Sequence, residues 1–180
     1  VSPELVDRMV ENGESPRLGG HEAELTCYFS DIEGFSRFSE ELPPDKLVEL
    51  MNEYLTACTD IVQAQGGTLD KYIGDAIMAV WGAPVALENH AALACSAALD
   101  MGARLRERQA DWAARGWPRI AAGIGLHTGD MVAGNMGSDD HLSYTVIGDN
   151  VNLASRMVAH APAGGVACSA GIRFQIASKL

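Results

Sequence analysis

Two aspartates stand where apolar, strand-like runs stop at turns. Asp31 lies in residues 29–35 (FSDIEGF), and Asp75 lies in residues 72–76 (YIGDA). If the two turns meet in space, their carboxylates form a paired site for a divalent metal. Such a pair suits Mg²⁺, which takes oxygen ligands and usually binds through one or two carboxylates together with substrate phosphates. The pair indicates chemistry on a nucleoside triphosphate, although an aspartate can also cap a helix or occupy a turn.

The segment that follows Asp31 could bind phosphate. Residues 33–36 lead from a predicted strand into a short predicted helix over 34–42. Unpaired backbone N–H groups and the helix dipole both favour an anion at a helix start. Gly34 would let the backbone approach a ligand closely.

Lys71 lies on an otherwise apolar face of a predicted strand. The alternation of side chains predicts that it shares a face with Leu69 and Ile73. A lysine in that position either extends to solvent or points into a polar pocket.

Asn152 and Arg156 are four residues apart in a predicted helix, so they lie on one face of it. A carboxamide and a guanidinium that project together suit a ribose and a phosphate, because arginine presents a planar fork of donors. A surface arginine beside an ordinary helix-start asparagine is the alternative. Thr145 lies on the strand that leads into this helix.

Hydrophobic periodicity predicts the elements that must position these residues. It predicts a long helix that Asp45 caps and residues 66–67 end, a second over 88–115, one from 149 or 150 to 160, and a terminal helix. The predicted strands are 25–32, 68–73, 76–81, 120–128, 131–137, 142–147 and 166–169. This order predicts an α+β fold, with a mainly antiparallel sheet and helices packed on one face.

Composition narrows the class of protein. The 180 residues fit one domain, and we expect residues 1–22 to be an N-terminal connector and residues 23–180 the functional domain. A net charge of −11 argues against nucleic acid as a partner, because such a partner requires a basic surface. The four cysteines lack the spacing of zinc ligands.

Taken together, the motifs closely resemble those of the class III adenylyl/guanylyl cyclase catalytic domain. They are residues 29–35, residues 69–79 (LDKYIGDAIMA), residues 125–130 (GLHTGD) and residues 144–157 (YTVIGDNVNLASRM), in family order and spacing. The resemblance implies a ferredoxin-like, palm-type sheet and the conversion of ATP to cyclic AMP and pyrophosphate.

The resemblance also implies roles for individual residues. It implies that Asp31, Asp75 and the carbonyl of Ile32 bind two Mg²⁺ ions, for which Mn²⁺ can substitute, and that one ion activates the ribose 3′-OH while the other holds the pyrophosphate. The remaining implied roles are β- and γ-phosphate binding by the backbone of Glu33, Gly34, Phe35 and Ser36, adenine recognition by Lys71 and Thr145, ribose orientation by Asn152, and transition-state stabilisation by Arg156.

In this family the sites form between two chains, so the resemblance implies a twofold, head-to-tail homodimer. It also implies a cytoplasmic domain, with a sensor or membrane region before Val1 in a longer protein. With threonine at position 145, the chain resembles the bacterial subgroup of the family that is described as bicarbonate-responsive. One departure is a phosphate-binding lysine on a strand near the family's C-terminus. The chain stops at Leu180, and we expect this end to precede that strand, so we expect a truncated C-terminal end and give Lys179 no such role.

Two alternatives remain open from sequence. A guanylyl cyclase is the nearer one, although Lys71 favours adenine because guanine-reading members tend to carry glutamate there. The other is a catalytically silent nucleotide-binding or dimerisation module. A diguanylate cyclase is disfavoured because the chain lacks a Gly-Gly-Asp/Glu-Glu-Phe signature.

Overall fold

The computed structural model describes residues 18–138 and 141–177. Six strands form one sheet: β1 (Gly19–Ile32), β2 (Thr68–Ile73), β3 (Ala76–Trp81), β4 (Ala122–Ser138), β5 (His141–Ile147) and β6 (Val166–Cys168). The helices are α1 (Phe35–Glu41), α2 (Pro44–Ala64), α3 (His90–Ala114), α4 (Asp149–Met157), which a 3₁₀ turn extends over Val158–His160, and α5 (Ala170–Ala177). None of the helices described here is both long and apolar enough to cross a bilayer.

The sheet places β1 at its centre. The strand order is β2-β3-β1-β4-β5, every neighbouring pair in that order is antiparallel, and β6 pairs with β4 in parallel. Ser30 near the end of β1 lies opposite Ile77 near the start of β3. This register brings the end of β1 beside the turn between β2 and β3, where both candidate metal-binding aspartates lie.

Each face of the sheet has its own core. Tyr28 and Ile32 of β1 pack with α1, α2, α3 and α5, whereas Leu25 and Phe29 pack in a second cluster with α4. Gly125 makes room for α4 on β4, because a Cβ there would lie 2.8 Å from the carbonyl oxygen of Ala154. The sheet therefore has α4 on the face opposite the other helices.

The α+β class and the mainly antiparallel sheet are confirmed. Four helices lie on one face, as predicted, whereas α4, which was predicted to join them, lies on the other face. The expected break between residues 128 and 131 is absent, because Gly129 and Asp130 stay paired with β1 and β4 runs through them. A Gly-Asp pair permits a turn, but continuous pairing with a long neighbouring strand keeps it extended.

Two predicted boundaries differ from the structure. β1 begins at Gly19, within the predicted connector, because residues 19–24 pair with β4. Residues 1–17 of the predicted connector lie outside the described residues. Asp45 does not cap α2: Pro43 is the N-cap residue, no side chain caps the helix among the described residues, and Asp45 lies in the first turn. There its charge still favours the helix dipole.

Candidate active site

The two aspartates lie together, as the sequence required for a paired site. The backbone N–H of Ile32 donates a hydrogen bond of 2.9 Å to Asp75 Oδ2. Gly74 begins the tight turn before Asp75 with a φ of 65°, a left-handed conformation that glycine adopts without steric cost. The hydrogen bond joins the β2–β3 turn to the end of β1, so Asp31 and Asp75 meet at one edge of the fold.

The Asp31 carboxyl group is perturbed by burial and by the neighbouring Asp75. The pKa of Asp31 is raised to about 6, first by partial desolvation and then by the hydrogen bond and the negative charge of Asp75. Two acidic groups held this close favour a bound cation, because a cation offsets the repulsion between them. No group of three or more His, Cys, Asp or Glu side chains that could hold a metal occurs within residues 18–138 and 141–177. A pair of carboxylates fits Mg²⁺, because this ion usually binds through one or two carboxylates and takes its remaining ligands from water and substrate oxygens.

An open cavity of about 350 Å³ adjoins Asp31. Asp31, Ile32 and Glu33 line one part of it, Ser155 of α4 lines another, and most of the remainder comes from residues 158–163. Gly123 of β4 also lines the cavity. The cavity is large enough for several phosphate groups.

The turn after Asp31 leaves the backbone N–H groups of Gly34, Phe35 and Ser36 available, whereas the N–H of Glu33 donates to the carbonyl oxygen of Ala121 at 2.8 Å. Gly34 has a φ of 68° and precedes α1, which lacks a side-chain cap among the described residues. Asp31 therefore does not serve as the cap of α1. The side chain of Phe35 packs edge-on against Phe38, with ring centroids 5.3 Å apart. The core thus anchors the first turn, while Glu33 and Ser36 lie exposed beside it.

Lys71 and Thr145 are brought together, although they lie 74 residues apart in sequence and on opposite edge strands. Lys71 Nζ donates a hydrogen bond of 3.2 Å to Thr145 Oγ1. Since β2 and β5 are at opposite ends of the strand order, this contact requires the sheet to curve until its two edges meet. The base-recognition pair suggested by the resemblance is therefore formed within one chain.

A β-bulge decides where Lys71 points. Leu69 lies opposite Ala79 and Lys71 lies opposite Met78, so the register shifts by one residue at Asp70. Because one extra residue reverses side-chain alternation, Leu69 joins the helix-side core while Lys71 faces the opposite side with Ile73. The prediction that Lys71 shares a face with Leu69 is wrong, and the prediction that it shares one with Ile73 holds.

Asn152 and Arg156 lie on the exposed face of α4, while Val151 and Ala154 of the same helix are buried against the sheet. Neither side chain makes a hydrogen bond to another residue in the described part of the chain. The structure therefore presents both groups to solvent, one helical turn apart. It does not place them in contact with either pair described above.

Two positioning features were missed from sequence. The first is a set of hydrogen bonds in which His127 donates through Nε2 to Asn150 Oδ1 at 2.9 Å, and Asn150 Nδ2 donates to the carbonyl of Asp130 at 2.8 Å. These bonds fix the first turn of α4 on β4. The second feature is Asp70, whose side chain is only 2% exposed. An aspartate inside an apolar strand run was the available signal, since buried carboxylates are rare unless they are paired.

Known proteins share these motifs and this fold. Residues 20–174 match the family described as the adenylate and guanylate cyclase catalytic domain. Adenylate cyclase 1 of Rhizobium meliloti (strain 1021) is 37% identical over 157 residues, which are 87% of this chain and 24% of that protein. The chain thus spans about a quarter of the length of this relative.

Solved structures of cyclases have the same fold as this chain. The adenylyl cyclase CyaB from P. aeruginosa has a TM-score of 0.86 at 35% identity, over 89% of this chain and 84% of that one. The guanylyl cyclase Cya2 has a TM-score of 0.84 at 32% identity, over 88% of this chain and 80% of that one. The chain therefore belongs to the class III adenylyl/guanylyl cyclase catalytic domain family.

Proposed function

We propose that this domain is an adenylyl cyclase, which converts ATP to cyclic AMP and pyrophosphate. The observation that carries the proposal is the meeting of Asp31 and Asp75, with Asp31 at the edge of an open cavity and an exposed, uncapped helix start beside it. Named relatives and neighbours include both adenylyl and guanylyl cyclases, so the choice of base must come from residues of this chain.

Asp31, Asp75 and the carbonyl oxygen of Ile32 would hold two Mg²⁺ ions. When bound, Mg²⁺ acidifies a coordinated hydroxyl and neutralises phosphate charge. The backbone N–H groups of Gly34, Phe35 and Ser36 would receive the β- and γ-phosphates, since the start of α1 is uncapped. The N–H of Glu33, which was predicted to join them, instead donates to the carbonyl oxygen of Ala121. This arrangement supplies positioning and charge, which is most of what phosphoryl transfer requires of a protein.

In the reaction, the ribose 3′-oxygen loses its proton to water and forms a bond to the α-phosphorus, while the bond from that phosphorus to the pyrophosphate oxygen breaks and pyrophosphate leaves. Asn152 would hold the ribose, so that the 3′-oxygen lies in line with the leaving group. Arg156 would donate to the α-phosphate oxygens as negative charge develops on them, and a guanidinium fork suits that geometry. Both side chains are exposed and free to meet a ligand.

Lys71 and Thr145 favour adenine. The ammonium of Lys71 donates hydrogen bonds and cannot accept them, so it suits an unprotonated ring nitrogen of adenine. Thr145 lies within hydrogen-bonding distance of it, and the pair together can read one edge of a purine. We assign adenine as the preferred base on this ground.

We further propose that the active site is completed in a head-to-tail homodimer. Exposed apolar side chains lie next to the candidate residues: Ile73 is 53% exposed near Lys71, Ile147 is 51% exposed near Thr145, and Leu153 is 39% exposed beside Asn152. Apolar surface concentrated in this way is typical of a protein interface. In that dimer Asp31 and Asp75 would come from one chain, and the base-, ribose- and phosphate-binding side chains from the other.

Cyclic-nucleotide production by the purified chain tests the proposal. ATP and GTP are supplied separately with Mg²⁺ and with Mn²⁺, and cyclic products are quantified. We expect cyclic AMP to predominate. Predominant cyclic GMP would support a guanylyl cyclase, and nucleotide binding without either product would indicate a silent module.

Other regions of a longer protein, and bicarbonate, are the proposed regulators of this domain. Since the chain spans only 24% of the Rhizobium meliloti relative, we propose that a sensor or membrane region elsewhere in the longer protein controls this domain. We also propose that bicarbonate increases turnover, on the basis of Thr145. Turnover that does not change with bicarbonate at fixed pH would refute that part.

A further inference from the structure

Asp70 is an unusual residue for its position. It is the extra residue of the β2 bulge, since its neighbours Leu69 and Lys71 pair with the adjacent residues Ala79 and Met78 of β3. Its side chain is 2% exposed. Burial of a carboxylate costs free energy unless hydrogen bonds or opposite charges compensate for it.

The compensating partners are Thr145 and Lys71, which the proposed function assigns to the base, and the backbone of Val146 next to Thr145. Thr145 Oγ1 donates a hydrogen bond of 2.6 Å to Asp70 Oδ2, and the backbone N–H of Val146 donates to the same oxygen at 3.3 Å. Asp70 Oδ1 lies 3.3 Å from Lys71 Nζ. Among the described residues Asp70 Oδ1 accepts no hydrogen bond, so the ion pair with Lys71 is its compensation.

These contacts fix the direction of the hydrogen bonds at Thr145. A hydroxyl has one hydrogen, and an ionised carboxylate can only accept. The hydrogen of Thr145 is therefore directed at Asp70, and Lys71 donates to the threonine oxygen. What the hydroxyl can still offer a ligand is an acceptor lone pair. Without Asp70, the hydroxyl would be able to rotate and donate as readily as it accepts.

We propose that Asp70 is a positioning residue that makes Thr145 an obligate acceptor and thereby selects a 6-amino purine over a 6-oxo purine. This inference rests on the proposed function, in which Lys71 and Thr145 meet the base. Adenine carries a donor amino group at position 6, whereas guanine carries an acceptor oxygen there. An acceptor facing Thr145 is therefore rejected, and a donor is bound.

Three side chains act as one unit in base selection, and each has its own role. Lys71 supplies a hydrogen-bond donor and Thr145 supplies an acceptor. Asp70 decides that the Thr145 hydroxyl accepts rather than donates. A threonine alone does not discriminate between the two purines, because its hydroxyl can serve either role. The buried carboxylate of Asp70 fixes the direction of the Thr145 hydroxyl without itself touching the nucleotide.

A double-mutant cycle tests the inference. Asp70→Ala, Thr145→Val and the double variant are compared with wild type in kcat/KM for ATP, GTP and inosine triphosphate, which has the 6-oxo group but lacks the 2-amino group of guanine. The ratio of kcat/KM for ATP to that for a 6-oxo nucleotide is the readout, because it does not depend on the fraction of folded enzyme in a sample.

We expect Asp70→Ala to lower the ATP preference roughly tenfold, within the range that one base contact contributes. The double variant should show the same ratio as Thr145→Val, because Asp70 acts through the hydroxyl. Asp60→Ala, which removes an exposed aspartate of α2, is the control and should keep the wild-type ratio.

An unchanged ATP preference in Asp70→Ala would overturn the inference, because a purely structural tie between β2 and β5 would lower turnover of all three nucleotides equally. A further change caused by Asp70→Ala in the Thr145→Val background would overturn the route through Thr145. If Asp70→Ala fails to fold, wild type still decides: equal kcat/KM for ATP and inosine triphosphate would refute selection at position 6. Wild type that forms no cyclic product from any nucleotide would instead refute the proposed function.

Discussion

Asp75 Oδ2 accepts a hydrogen bond of 2.9 Å from the backbone N–H of Ile32. This bond fixes the β2–β3 turn against the end of β1, next to Asp31. The two carboxylates are therefore held in position before any cation binds. Preorganisation of this kind lowers the cost of forming the metal site and concentrates negative charge where a cation would bind.

Asp31→Asn should stabilise the protein without metal and abolish its response to metal. The substitution removes repulsion between two adjacent carboxylates, so we expect the melting temperature in EDTA to rise by about 2–4 °C for each kcal/mol of repulsion relieved. We also expect the stabilisation by Mn²⁺ in wild type to be lost, because ligand-induced stabilisation requires binding to the folded state. Asp60→Asn, on the exposed surface of α2, is the control. A full Mn²⁺-induced shift in Asp31→Asn would contradict the assigned site.

Arg156→Ala should act on kcat. Since the guanidinium is expected to bind mainly the charge that develops in the transition state, kcat should fall by roughly 10²–10³ with little change in KM. Arg156 is exposed, so the unfolding free energy should hardly change. Steady-state kinetics with ATP measure both parameters, and Arg37→Ala, whose side chain is 87% exposed on α1, is the control. A normal kcat for Arg156→Ala would remove Arg156 from the mechanism.

Mixing two inactive variants should restore activity if sites are shared between chains. With Asp31→Ala and Arg156→Ala in equal amounts, about half of the dimers are mixed and each mixed dimer has one intact site, so activity should return to about a quarter of wild type. The measurement is cyclic AMP formation after subunit exchange, with mixed dimers quantified by two affinity tags. If mixed dimers form and remain inactive, the sites are not shared.

Glu53→Gln should reduce stability at neutral pH and flatten its dependence on acid. Arg115 donates two hydrogen bonds to the Glu53 carboxylate, at 2.6 and 2.7 Å, and Trp112 donates a third at 3.0 Å. The hydrogen bond from Arg115 is the main reason that the pKa of Glu53 falls from 4.5 to about 2. A lowered carboxyl pKa stabilises the fold above the unfolded-state value, and this stabilisation is lost as pH falls from about 4.5 to about 2.

Urea unfolding between pH 7 and pH 3 measures this effect. Glu53→Gln should cost roughly 1–3 kcal/mol at pH 7, and the difference from wild type should shrink as pH falls below 4.5. Glu107→Gln removes the same charge from a side chain that is 71% exposed, so it should change stability by less than about 0.5 kcal/mol. A cost for Glu53→Gln that is the same at pH 7 and pH 3 would contradict the ion-pair explanation.

Two glycine-to-alanine substitutions should have opposite effects. A Cβ at Gly67 would lie 2.5 Å from the ring of Trp81, which is fully buried, so Gly67→Ala should destabilise by roughly 1–3 kcal/mol. At Gly102, inside α3, the nearest atom is the mobile end of Arg106 at 3.3 Å. Gly102→Ala should therefore stabilise by about 0.5–1 kcal/mol, because alanine is the better helix former. Thermal unfolding of both variants checks the signs, and stabilisation by Gly67→Ala would show that Trp81 can move.

Much of the fold could be predicted because its signals are local. The hairpin over residues 68–81 was predicted with its observed bounds, since apolar alternation and a Gly-Asp turn are both readable within a short window. β4 was predicted as two strands, because the partner that keeps Gly129 extended is a distant segment. α4 was predicted as a helix, but which face of the sheet it covers depends on the space that Gly125 leaves.

The sequence by itself determined the family, the α+β class and the identity of the candidate site residues, because residue type and spacing along the chain carry that information. Only the tertiary structure showed that Asp31 meets Asp75, that the β2 bulge turns Lys71 to the face opposite Leu69, and that Asp70 reaches Thr145. A one-residue shift in strand pairing reverses which side every later side chain faces, and the curvature of the sheet decides which edges meet. Both arise from long-range packing between segments, so no local pattern encodes them.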